Sequence, residues 1–162
     1  MRCRAASRED AARIADLLTA NRDDPSMFLR SQSDVTVHLE DFLVAEDEQH
    51  LVAGCAALHQ HRRWLVELLS VAVDPALQGL GVGSALVRES LRQADQRAGL
   101  EQVFLATAKP EYFGRFGFEP VSKWVLPAGV LVDKLRKVLA QPIRRWIPAL
   151  WGRHTFMTWR PR

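Results

Sequence analysis

The chain is poor in the residues that build covalent or metal-bound frameworks. Of its 162 residues only Cys3 and Cys55 are cysteines. That is too few for a disulfide scaffold and the wrong spacing for metal ligands, so no metal and a reducing compartment are expected. Cys55, in Val52-Ala-Gly-Cys-Ala-Ala-Leu58, reads as a small buried hydrophobe. No run of 18 apolar residues exists, which excludes a membrane-spanning helix, and Met1 to Asp10 has no apolar core of a secretion signal. A cytoplasmic protein is expected. Repeats, low-complexity tracts and linkers are also absent. At 48% apolar and 25% charged residues, the length suits one domain, residues 1–162, around one substantial core.

Acidic residues are missing from residues 134–162, although the whole chain carries only +3. That stretch holds Lys134, Arg136, Lys137, Arg144, Arg145, Arg153, Arg160 and Arg162 around Trp146, Trp151 and Trp159. Basic side chains interleaved with aromatics suit a nucleic acid or an anionic membrane. They equally suit a last helix and strand that turn tryptophans inward and leave arginines to water or to a phosphorylated ligand.

What is abundant is glycine at one place. Val71-Ala-Val-Asp-Pro-Ala-Leu-Gln-Gly-Leu-Gly-Val-Gly-Ser-Ala-Leu-Val87 reads as an apolar strand running through a short turn into a helix. Gly79, Gly81 and Gly83 let backbone approach an anion, and the free N–H groups opening the helix point at it with the helix dipole behind them. A phosphorylated ligand is expected. No Lys-Ser/Thr pair follows, which excludes a P-loop, and GxGxG is not the dinucleotide fingerprint GxGxxG.

Along the chain, Ser7 ahead of Ala11, Ile14, Leu17 and Leu18 predicts an N-capped amphipathic helix after a strand near residues 2–6. A second helical piece is placed near 33–40, with Val35, Thr36 and Val37 arguing against it. Strands are expected at Phe42–Ala45, Leu51–His59 and Trp64–Val73, with turns near Glu46–Gln49 and Gln60–Arg63. A helix over 82–97 leads to a parallel strand at Gln102–Thr107. Pro110 opens a helix reaching about Phe116, and a strand near Phe118–Ser122 leaves it. Residues 128–140 are helix-like and Thr155–Arg160 is a last strand.

Gln78, Gly81 and Gly83 after the Val71–Pro75 strand end resemble motif A, (Q/R)xxGx(G/A), of the GNAT superfamily of acyl-CoA-dependent N-acetyltransferases. Tyr112-Phe-Gly-Arg-Phe-Gly-Phe-Glu-Pro-Val121 resembles the Gly-Phe signature with which that superfamily closes its last cofactor-side helix onto a strand. The resemblance implies an α+β fold, an α/β three-layer arrangement with a mixed, splayed central sheet between helices. It implies acetyl-CoA as co-substrate. Val71, Ala72 and Val73 would face the pantetheine arm, and Gln78, Gly79, Leu80, Gly81, Val82, Gly83 and Ser84 would hold the pyrophosphate.

Glu67, in Val66-Glu-Leu-Leu-Ser-Val-Ala-Val73, matches the position where many members keep the general base. A carboxylate on an otherwise apolar strand is costly unless it has a task, and desolvation would raise its pKa. The alternative is an ordinary surface Glu near Arg62 or Arg63. Phe113 stands where many members place a tyrosine acid; Tyr112 is one position away, which turns it about 100° on a helix. Tyr112 is therefore read as a packing or cofactor contact, with water protonating the thiolate. Ala106-Thr107 replaces the asparagine that commonly precedes this helix.

Leu29-Arg-Ser-Gln-Ser33, Asp41–Asp47 and Val52–His59 resemble the acetyltransferase domain of N-acetylglutamate synthases and stand-alone amino-acid acetyltransferases. In that light Arg30 would hold a substrate carboxylate. The expected activity is acetyl transfer to a small amine, in particular a glutamate- or glutamine-like amino acid, and a homodimer is compatible with it. Leu69 and the basic segment of about 128–162 depart from these relatives on the acceptor side. Two other readings stay open: a degenerate acyl-CoA-binding sensor or subunit, and a nucleic-acid or membrane-associated protein using the basic tail.

Overall fold

A computed structural model describes residues 1–122, 127, 129, 130, 132 and 154–161. Among the described residues seven strands form one sheet: β1 (Arg2–Ala5), β2 (Phe42–Glu46), β3 (Val52–Arg62), β4 (Leu65–Val73), β5 (Gln102–Thr107), β6 (Glu119–Val121) and β7 (Thr155–Trp159). Their order is β1-β2-β3-β4-β5-β7-β6. Every neighbouring pair is antiparallel except β4 and β5, which run parallel. The helix α3 (Val82–Asp95) makes the crossover that a parallel pair requires. The sheet is thus mixed, with helices on both faces, as the α+β expectation holds.

One face carries α1 (Ala11–Ala20) and α2 (Gln32–Val37). Ala11, Ile14, Leu17 and Leu18 recur at helical spacing and are fully buried against Val44, Cys55, Ala57 and Ala72 of the strands. The other face takes α3, whose Val82, Leu86, Val87, Leu91 and Ala94 pack on Ala56, Leu58, Leu68 and Val103. Gly54 on β3 sets that distance. A Cβ there would stand 2.8 Å from the Ala72 carbonyl oxygen and 3.0 Å from Val82 Cγ1, so any larger residue would lift α3 from the sheet. Cys55 is buried as expected, and desolvation pushes its thiol up to about 12.

Several boundaries differ from the sequence expectation. Ser7 and Asp10 form a reciprocal cap, but it opens a 3-10 turn over Arg8–Asp10 that feeds α1. The helix expected at 33–40 breaks after Val37 and resumes as a 3-10 turn over Leu39–Asp41, in keeping with its β-branched run. The short helix α4 covers Pro110–Gly114 and stops before Phe116. The largest difference is at Gln60–Arg63, where β3 continues to Arg62 instead of turning. His59 and His61 stay on one face of the sheet, with ring centroids 4.9 Å apart. The helix expected at 128–140 and most of the basic segment lie outside the described residues. Among the described residues no helix is long and apolar enough to cross a membrane.

Candidate active site

The site begins where β4 and β5 separate. They pair only at Leu65 with Gln102, Val66 with Val103 and Glu67 with Phe104. Beyond Glu67, β4 stays with β3 as far as Val73, while β5 follows β7 as far as Thr107. A bulge lies just beyond the point of divergence. Between Ala57–Leu69 and Cys55–Ala72 the ladder advances two residues on β3 and three on β4, and Ser70 takes a positive φ of 55°. An extra residue bends its strand, and a left-handed serine is sterically unfavourable, so the surroundings must hold it. The Ser70 hydroxyl oxygen is buried without a hydrogen-bond partner among the described residues.

A cleft of about 720 Å³ opens in the gap, lined by Glu67 to Val71 and Val73 from β4 and by Leu105 to Thr107 from β5. The strand edge of β4 facing it is paired with no described strand past Glu67. Val71 and Val73 line the cleft, whereas the Ala72 side chain is buried on the α1 face, leaving only its backbone for that edge.

At the far end the cleft reaches Gln78, Gly79, Gly81, Val82, Gly83 and Ser84. Gly79 and Gly81 have φ of 83° and 87°, and a Cβ on either would meet nothing within 4 Å. Gly81 is the N-cap of α3 and, being glycine, offers no side-chain cap to the helix. Its first amides therefore remain available to an anion. Leu80 between them is exposed. Gln78 is anchored instead of free: its Nε2 donates to Asn21 Oδ1 at 3.1 Å, and Asn21 Nδ2 donates to the Val73 carbonyl at 2.9 Å. Asn21 thereby joins the end of α1, the end of β4 and the glycine turn. Its role was not readable from a polar stretch that only ends a helix.

Tyr112 and Phe113 of α4 both line the cleft. The Tyr112 hydroxyl lies 2.8 Å from where a Gly83 Cβ would stand, so the ring covers the first turn of α3. Arg115 sits over the same ring at 4.9 Å. Opposite, the Asp24–Met27 loop closes the wall, tied to the segment after β5 by Lys109 Nζ to Asp24 Oδ2 at 2.9 Å.

Glu67 is the polar group at the apex. It is 4% exposed, on the face of α1 and α2, and His61 Nε2 is 2.9 Å from its Oε2. It is not the surface Glu beside Arg62 or Arg63 that the sequence also allowed. The sequence missed His61 because the turn was placed on it; once β3 is extended, a histidine two residues beyond the cross-strand partner of Glu67 is the signal. Arg30 lies on this face with its guanidinium 5.8 Å from the Phe42 ring centroid. Burial lowers its pKa, opposed by the charges of Glu67, Asp41 and Asp34. Arg30 is thus near Glu67 electrostatically, but it does not line the cleft wall.

Residues 38–120 match the family described as acetyltransferase (GNAT) domain. An amino-acid acetyltransferase of Mycobacterium tuberculosis is 38% identical over 100 residues, 60% of this chain and 57% of that protein. The chain thus spans little more than half the length of that relative. A solved structure from Mycobacterium tuberculosis, in complex with CoA and a second ligand, superposes with a TM-score of 0.81 at 26% identity over 100% of both chains. N-acetylglutamate synthase from Neisseria gonorrhoeae, complexed with coenzyme A and N-acetyl-glutamate, gives a TM-score of 0.78 at 23% identity over 99% of this chain and 35% of that one.

Proposed function

The chain belongs to the GNAT acetyltransferase family, and on that premise we propose that it moves an acetyl group from acetyl-CoA to the amine of a small molecule, an amino acid of the glutamate or glutamine kind. The observation that carries the proposal is Glu67, the last residue of β4 paired to β5, at the apex of the cleft whose other end is the glycine turn. One continuous groove joins an anion cradle to a buried base. A sensor without chemistry would need no open cleft beside Glu67.

In this reading the amides of Gln78 to Ser84 replace the water around the diphosphate, and the free edge of β4 at Val71 to Val73 holds the pantetheine arm. Tyr112 and Phe113 wall the cofactor side. The acceptor arrives as an ammonium ion on the α1 and α2 face, where Arg30 meets its carboxylate and Glu67 removes a proton. The amine nitrogen then bonds to the thioester carbon, and a β4 amide steadies the oxygen that gains charge. Collapse breaks the C–S bond; the departing thiolate takes a proton from water, and the hydroxide left behind takes the second proton from the attacking nitrogen. His61 donates to one Glu67 oxygen and so fixes the carboxylate plane.

The test is incubation with acetyl-CoA and a panel of amino acids and other small amines, read by free-thiol release. Release with glutamate or glutamine, lost in Glu67→Gln, is expected. CoA binding with no release from any amine would overturn the enzyme reading.

A further inference from the structure

We propose that His38, Asp41 and His59 form a binding site for a divalent transition metal ion of the zinc class, on the α2 side of the sheet. Three elements bring the donors together. His59 is on β3, Asp41 ends the 3-10 turn that enters β2, and His38 closes α2. His59 Nδ1 and Asp41 Oδ2 are already 2.7 Å apart, and the His38 ring stands edge-on to His59 at 5.9 Å between centroids. One donor atom from each lies within 4.8 Å of the other two.

The donor set decides the ion. Two imidazoles and one carboxylate suit Zn²⁺, Co²⁺ or Ni²⁺, whereas Mg²⁺ and Ca²⁺ take all-oxygen sites. A tetrahedral ion with ligands at about 2.0–2.2 Å holds its donors about 3–3.5 Å apart, so the 2.7 Å side between His59 and Asp41 has to open slightly while His38 draws in from within 4.8 Å. His38 can supply the larger movement because it is exposed, while Asp41 and His59 are half-buried. The metal would take the place of the proton between Nδ1 and Oδ2, leaving the His59 proton on Nε2 and a fourth position for water. Asp34 adds negative charge beside His38, and Arg30 opposes it beside Asp41.

The site does not overlap the cleft, and it stands whether or not acetyl transfer is the activity. The simpler use of the same atoms is a hydrogen bond that staples the 3-10 turn to β3, and the experiment separates the two. The full chain, freed of metal, is titrated with Co²⁺ while visible absorption is followed, and with Zn²⁺ by calorimetry. One saturating equivalent is expected, with the d–d bands of four-coordinate Co²⁺. His38→Ala and Asp41→Asn should each weaken Zn²⁺ binding at least about tenfold, while His50→Ala and His154→Ala leave it unchanged. His38 is exposed, so its variant folds. Absence of the bands, wild-type affinity in His38→Ala, or loss in His50→Ala or His154→Ala would each overturn the proposal.

Discussion

Glu67 keeps its carboxylate almost wholly out of water with His61 at 2.9 Å, and a buried charge without partners costs several kcal/mol. Glu67→Gln keeps the shape and removes the proposed base, so kcat in the thiol-release assay should fall about 10²–10⁴-fold while the KM for acetyl-CoA changes little. His61→Ala is expected to lower kcat and the melting temperature together. His61→Gln, which can still donate a hydrogen bond, should recover much of kcat, a recovery that a packing role alone would not give. A different carboxylate governs acid stability. Hydrogen bonding to Arg4 is the largest of the effects that bring Asp10 down to about 2. Because its folded pKa is depressed, the stabilisation is present above pH 4 and is lost as pH falls through the range from about 4 to 2. It amounts to about 2 kcal/mol; denaturant midpoints measured across that range should drop, and Asp10→Asn should flatten the drop.

At the scale of elements, the turn from β4 into α3 asks its glycines for different things. Gly81→Ala would force a Cβ into φ 87°, at about 1–2 kcal/mol. Gly83→Ala is helical, yet its Cβ would stand 2.8 Å from the Tyr112 hydroxyl and displace the ring. Both should raise the KM for acetyl-CoA more than they lower kcat, and Gly83→Ala in a Tyr112→Phe background should regain affinity. This turn was legible in the sequence because glycine spacing and helix ends are local. The strand Gln102–Thr107 was legible too, being an apolar run between clear breakers. The end of β3 was not. Gln60-His-Arg-Arg63 is polar enough for a turn, and only pairing with Leu65 and Val66 draws it into the sheet. Asn21 and His61 escaped for the same reason, since each gains its role from a partner distant in sequence or across a hairpin.

Across the whole molecule, two antiparallel half-sheets meet at a parallel seam of three residue pairs, and the cleft occupies the remainder of the boundary. A ligand seated there touches both halves, so its binding free energy should appear as global stability. At one hundred times Kd, CoA should add about 2.7 kcal/mol, seen as a higher melting temperature and as slowed amide exchange at residues 68–73 and 79–84. Stabilisation without protection of those amides would move the ligand elsewhere.

The strand order carries one more consequence, in the order of assembly. Among the described residues β6 has β7 as its sole neighbour, and β7 lies between β5 and β6 although it follows both in sequence. During synthesis the first four strands can close as soon as Val73 has emerged, since β1 to β4 pair in sequence order. β5 must then keep one open edge until Trp159 is made. An uncovered strand edge invites pairing with other chains, so a nascent chain stalled before Thr155 should aggregate or recruit chaperones, and one released past Trp159 should not. Comparing stalled chains of the two lengths by protease sensitivity would reveal that late insertion step.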